Sequence, residues 1–170
     1  MSSRMVATAL AVTLTTPMPA AAEVRAMSPA MRALVEEGMS RSASFRALIA
    51  RIEHSDLVVY VREEYASMGS LHGSLTFLSS AGGSRYLLIR LSGRLRTRRL
   101  STLAHELQHA VEIAERPDIV DEVSLVRAYA QFGQPVGSNA SGTRCRVDSD
   151  AAVAVGKRVW REAFSARRER

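Results

Sequence analysis

One cysteine, Cys145, stands in 170 residues, so no disulfide can close within the chain and no thiolate cluster can hold a metal. It sits in a polar stretch with no histidine nearby in sequence, which argues against a cysteine nucleophile. Aromatic residues make up only 5% of the chain, although the formal charge is +6. The arginines gather in two runs, Arg94, Arg96, Arg98 and Arg99, and Arg161, Arg167, Arg168 and Arg170; the first holds no aromatic residue and the second only Phe164, with no known nucleic-acid reading module around either. A nucleic-acid partner is therefore not expected, and solvated basic surface is the reading of both runs. No apolar run approaches the ~20 residues a membrane span needs, so no membrane span is expected.

Residues 1–22 read as a segment apart. Arg4 is the sole charge there, Val6–Leu14 is a short apolar run, and Pro17-Met-Pro-Ala-Ala-Ala22 ends it in small residues. Those are the marks of a signal peptide cleaved after Ala22, which makes the expected location secreted or periplasmic. Residues 23–170 are then expected to form one domain.

Along that domain Ser28-Pro29 opens a helix that Gly38 is expected to end. Phe45, Leu48, Ile49 and Ile52 stripe a second helix over 44–53. Leu57–Val61, rich in β-branched residues, reads as a buried strand; Gly73–Leu78 and Arg85–Leu91, joined by Gly82-Gly83, read as an antiparallel hairpin. Helices are expected over 119–132 and 148–166, with a long polar loop, 133–144, between them. This order predicts an α+β fold in which a small, mostly antiparallel sheet packs on the helices.

What is present in place of cysteines is His105-Glu106-Leu107-Gln108-His109, set in an apolar pattern of Leu103, Leu107, Ala110, Val111 and Ala114. On a helix, positions i and i+4 lie about 40° apart around the axis, so both imidazoles leave one face and can grip a single zinc ion. Glu106 projects to the side, where it can take a proton from a water without ligating the metal.

A catalytic zinc takes a third protein ligand, and Glu112, Asp118, Asp121, Glu122, Asp148 and Asp150 are the candidates. If Asp148 opens the last helix, its stripe runs on through Ala152, Val155 and Val159, while Asp150 shares a face with Ala154, Lys157 and Arg161. A carboxylate on the apolar stripe needs a cation or hydrogen bonds, which singles out Asp148 either as the ligand or as that helix's N-cap. Three ligands from one straight helix would not surround a tetrahedral ion, so Glu112 reads as a support or a surface residue.

His105, Glu106 and His109, followed by Asp148-Ser-Asp-Ala-Ala152, resemble the zincin metallopeptidases, in particular the minimal gluzincin-like ones. The resemblance implies zinc held by His105, His109 and Asp148, with Glu106 as the catalytic general base for peptide-bond hydrolysis. It also implies an extended peptide pairing with the strand before the metal helix, here Arg85–Leu91. The chain departs from those proteins at Asp148, where they carry Glu, one methylene longer. A shorter ligand requires a closer approach of its segment or a weaker metal site, so the alternative reading is an inactive zincin-like metal-binding or interaction module. Tyr129, His72 or an arginine of the 94–99 connection are the candidates for an oxyanion donor.

Overall fold

The structure, a computed structural model, describes residues 20–65, 68, 71–93, 98–132, 134–135 and 147–165. Cys145, Arg94, Arg96, the last three arginines of the tail, most of the 133–144 loop and the signal-like segment up to residue 19 lie outside the described residues.

The elements follow in the order β1 (Glu23–Ala26), α1 (Pro29–Arg41), α2 (Ala43–Glu53), β2 (Leu57–Glu64), β3 (Gly73–Ala81) and β4 (Ser84–Ser92). Next come α3 (Arg99–Ala114), α4 (Glu122–Phe132), β5 (Gln134–Pro135), β6 (Val147–Asp148) and α5 (Asp150–Ser165). The α+β expectation holds. The sheet, however, is mixed rather than mostly antiparallel: its order is β1-β2-β4-β3, with β1–β2 and β2–β4 parallel and only β3–β4 antiparallel. The hairpin was legible because Gly82 and Gly83 supply the positive φ of a tight turn. The parallel pairs join strands far apart in sequence, which no local pattern announces.

Burial alternates along β4. Arg85, Leu87, Ile89 and Leu91 are buried, and Tyr86, Leu88 and Arg90 are half-buried. The buried set meets Leu57, Val59 and Val61 of β2 and, from α3, Leu103, Leu107, Ala110 and Val111. Ser28 caps α1 as expected, but the helix continues past Gly38 to Arg41, and Gly38 packs on the ring of Phe45. Ser42 closes α1 and caps α2. Helix α4 begins at Glu122 rather than 119, because Asp121 accepts a hydrogen bond from the Ser124 amide. It turns Leu125 and Ala128 inward and leaves Val123 and Val126 exposed. No helix among the described residues is long and apolar enough to cross a membrane.

Arg85 anchors the C-terminal end of α3. Its guanidinium grips Asp56 through two hydrogen bonds of 2.7 and 2.6 Å, and its Nη1 donates toward the carbonyl oxygens of Ile113, Arg116 and Ile119 at 2.8–3.0 Å. Ile113 lies in the last turn of α3 and Arg116 and Ile119 follow it, so this buried cation ties the C-terminal end of the helix and the turn after it to β4. It also holds the Asp56 carboxyl below its ordinary value.

That placement corrects one expectation. β4 is paired on both sides, so Arg85–Leu91 has no edge to offer a peptide. The outer strand on the side of α3 is β3. Ser92 N–H donates to His72 O, so the antiparallel alternation directs the backbone groups of Gly73, Leu75 and Phe77 away from β4. Phe77 N–H accordingly bonds Glu122 Oε2 of α4.

Candidate metal centre

His105 and His109 sit one turn apart on α3, their rings edge to face with centroids 4.9 Å apart. Asp148 reaches them from β6, not from the last helix, which begins at Asp150. Ser149 is the residue that caps α5: its Oγ accepts from Ala152 N–H and its carbonyl oxygen from Val153 N–H. Asp148 is thus freed from capping. The stripe through Ala152 and Val159 is buried and Asp150 is exposed, as the periodicity predicted. Asp148 lies near the histidines because the short β5–β6 pair delivers it there.

Asp148 Oδ1 stands 3.2 Å from His105 Nε2 and 3.6 Å from His109 Nε2. Three donors on a tetrahedral zinc at ~2.0–2.1 Å would be separated by about 3.4 Å, so the two distances match the edges of such a site. One nitrogen from each histidine and one Asp148 oxygen lie within 4.8 Å of one another, and this group can hold a metal ion. Side-chain exposures of 24% for His105 and 27% for Asp148 leave it reachable from solvent. Of the other acidic candidates, Asp118 pairs with Arg116, Asp121 caps α4, and Glu122 bonds Phe77 N–H.

Glu112 ties the centre together. Its Oε2 accepts from His109 Nδ1 at 2.8 Å and from the Tyr129 hydroxyl at 3.1 Å, and its Oε1 accepts from Ser149 Oγ at 2.6 Å. A carboxylate only accepts, so His109 Nδ1 carries a hydrogen toward Glu112, and the proton that a metal would displace is the one Nε2 holds toward Asp148. One carboxylate therefore orients a histidine and also holds the residue next to Asp148. Tyr129 acts on the Nδ1 side of the ring, so it positions His109 and does not donate to a substrate. Burial and the Glu112 charge raise its phenol far above its ordinary value, which keeps the donor hydrogen in place.

The charges follow from these contacts. Burial and then the neighbouring His109 lower the pKa of His105, keeping that ring neutral. Burial opposes charge on His109 too, but Asp148 and Glu112 prevail and hold it at about 9. Burial likewise works against the carboxylates of Asp148 and Glu112, yet their histidine contacts keep both below the ordinary range.

Glu106 is 7% exposed and faces an open cleft of about 780 Å³ that His72, Arg98 and His105 also line. Two glycines, neither marked by the sequence pattern, shape this region. A Cβ on Gly73 would stand 2.6 Å from Glu106 Oε1 and 2.8 Å from Thr102 Cγ2. A Cβ on Gly156 would stand 3.0 Å from the Ser101 carbonyl oxygen and 3.5 Å from His105 Cβ. The absent side chain at Gly156 lets α5 lie against α3.

Compared with known protein families, curated proteins and solved structures, the chain matches none of them.

Proposed function

We propose that this protein is a zinc-dependent metallopeptidase in which His105, His109 and Asp148 hold the metal and Glu106 is the general base. The observation that carries the reading is the convergence of two Nε2 atoms and Asp148 Oδ1 beside Glu106 in an open cleft. The donor set of two imidazoles and a carboxylate is the one hydrolytic zinc sites use, and a bound zinc ion would polarise a carbonyl and acidify a water. Glu106 accepts the proton of the attacking water on its carboxylate and passes it to the leaving amine nitrogen. His72 and Arg98 line the cleft and are the candidates left for contacting the carbonyl oxygen. The edge of β3 at Gly73 and Leu75 is where an extended peptide would pair, in place of β4.

A purely structural metal module is the second reading, motivated by aspartate at the third position. The partial exposure of His105 and Asp148 favours catalysis, because structural zinc sites are closed by four protein ligands.

Metal analysis and cleavage of a peptide library by the full chain, beside Glu106→Gln and Asp148→Ala, test both. Wild type is expected to carry one zinc and to cleave. Glu106→Gln should keep the zinc and lose roughly 10²–10⁴-fold in rate. Structural zinc is held by about 10–16 kcal/mol through four ligands, or about 2.5–4 kcal/mol per ligand, so Asp148→Ala should weaken metal binding by roughly 10²–10³-fold. Stoichiometric zinc with no cleavage of any peptide would establish the module instead. A wild-type chain that binds no zinc would end both readings.

A further inference from the structure

The cleft carries opposite charge at its two ends. Glu106 and Asp148 lie at the metal end, whereas Arg98, Lys157 and Arg161 line it farther along. Asp148 beside His105, and Gly156 beside Ser101, show that α5 runs antiparallel to α3. Lys157 and Arg161, one turn apart on α5, therefore lie toward the start of α3, where Arg98 stands. Each basic run of the sequence contributes one of these arginines. All three cations are exposed, and none has an ion-pair partner among the described residues. By contrast Arg99, next to Arg98, is engaged with Glu63.

We propose that this basic end is a specificity subsite for a carboxylate of the substrate, so that the cleft selects acidic peptides. The seven residues from Arg98 to His105 span roughly 10 Å at the helical rise of ~1.5 Å per residue. An extended peptide covers that in about three residues at ~3.3 Å each. The favoured carboxylate thus lies about three residues from the bond at the metal centre. It is either an acidic side chain or the C-terminal carboxylate of a short peptide. Three cations lining one end of a cleft, without ion-pair partners among the described residues, attract an anion over several ångströms, and salt screens that attraction over about 10 Å at 0.1 M. Trp160, 37% exposed and stacked on Phe164, lies on the same wall and offers an apolar face beside the charges. A nucleic acid would also seek these cations, but Trp160 is the one Trp, Tyr or Phe among the residues that line the cleft with them, too few for successive bases to stack on.

The inference rests on the cleft being the peptide site proposed above, and two features allow binding to be read without turnover. Trp160 is the chain's single tryptophan and Lys157 its single lysine. Zinc-loaded full-length protein is titrated with blocked neutral peptides bearing Glu or Lys three residues from the centre, and with a neutral peptide ending in a free carboxylate there. Trp160 fluorescence reports affinity, and mass spectrometry reports protection of Lys157 from an amine-acylating reagent. At ~0.05 M salt the Glu peptide is expected to bind at least tenfold tighter than the Lys peptide and to protect Lys157. The preference should shrink toward unity near ~0.5 M, and the double variant Lys157→Glu/Arg161→Glu should abolish or invert it. The free-carboxylate peptide tells the two sources apart: binding as tight as the Glu peptide assigns the chain terminus, weaker binding the side chain.

Equal affinity for Glu and Lys peptides, no binding by either readout, or a preference that survives charge reversal would overturn the proposal. So would a short single-stranded oligonucleotide that displaces the Glu peptide more effectively than unlabelled peptide does. Acid-selective binding without cleavage would keep the subsite and overturn the peptidase; cleavage without charge preference would do the reverse.

Discussion

Adding one methyl group at Gly73 tests the catalytic geometry at a position that touches no metal ligand. The new Cβ would lie 2.6 Å from Glu106 Oε1, where ordinary contact begins at 3.4 Å, so the carboxylate must retreat by about 0.8 Å. It is the far end of a flexible side chain and can move, although Thr102 Cγ2 at 2.8 Å limits where it can go. Overpacking of this kind costs about 1–3 kcal/mol of stability. Misplacement of a reacting group by ~1 Å costs on the order of 10²-fold in rate. Gly73→Ala should therefore retain stoichiometric zinc and remain folded, with kcat reduced about a hundredfold and KM little changed. Steady-state kinetics on a peptide the wild type cleaves, with metal analysis and a thermal melt on the same sample, makes the measurement. Wild-type kcat in the folded, metal-loaded variant would refute the claim that the vacancy at Gly73 seats Glu106. Loss of metal would show that the strain spreads into the ligands.

Three further outcomes follow from the contacts around the centre. Glu112→Ala removes the acceptor of His109 Nδ1 and of Ser149 Oγ, and should weaken zinc about 10–100-fold in a competition titration; unchanged affinity would contradict the supporting role. Arg85→Met removes the donor shared by the carbonyls of Ile113, Arg116 and Ile119, the first two of which keep backbone partners, and lets half-exposed Asp56 rehydrate, so a loss of about 1–3 kcal/mol in denaturant unfolding is expected and a neutral effect would refute it. In the metal-free protein His109 is held at about 9, above its ordinary 6.5. The stability it contributes is complete below about pH 6.5 and is lost as the pH rises through about 9, up to about 3 kcal/mol. A zinc ion bound as proposed would displace that proton. Calorimetry at pH 7 in buffers of different ionisation enthalpy should show close to one proton released per zinc bound, and release of none would refute the assignment.

Local pattern made the two histidines and Glu106 legible, because i, i+4 spacing on one helix is a property of the chain's own geometry. It also marked the hairpin and the buried stripe of the last helix. Asp148 was reached through a helix it does not belong to: the inward stripe is real, but Ser149 takes the cap and a two-residue strand carries the aspartate in. No local signal separates support from surface for Glu112, because Tyr129 and Ser149 meet it only through the fold.

By itself the sequence settled the class of the fold and the local arrangement of His105, Glu106 and His109, since backbone periodicity and side-chain chemistry act over a few residues. Only the tertiary structure decided the parallel strand pairs, the arginine under α3, the role of Glu112 and the spaces at Gly73 and Gly156. Those features join residues tens of positions apart, and a missing Cβ has meaning only once its neighbours are known. The same holds for Arg98, Lys157 and Arg161, which the sequence scatters across two basic stretches and the packing of α5 against α3 gathers along one cleft.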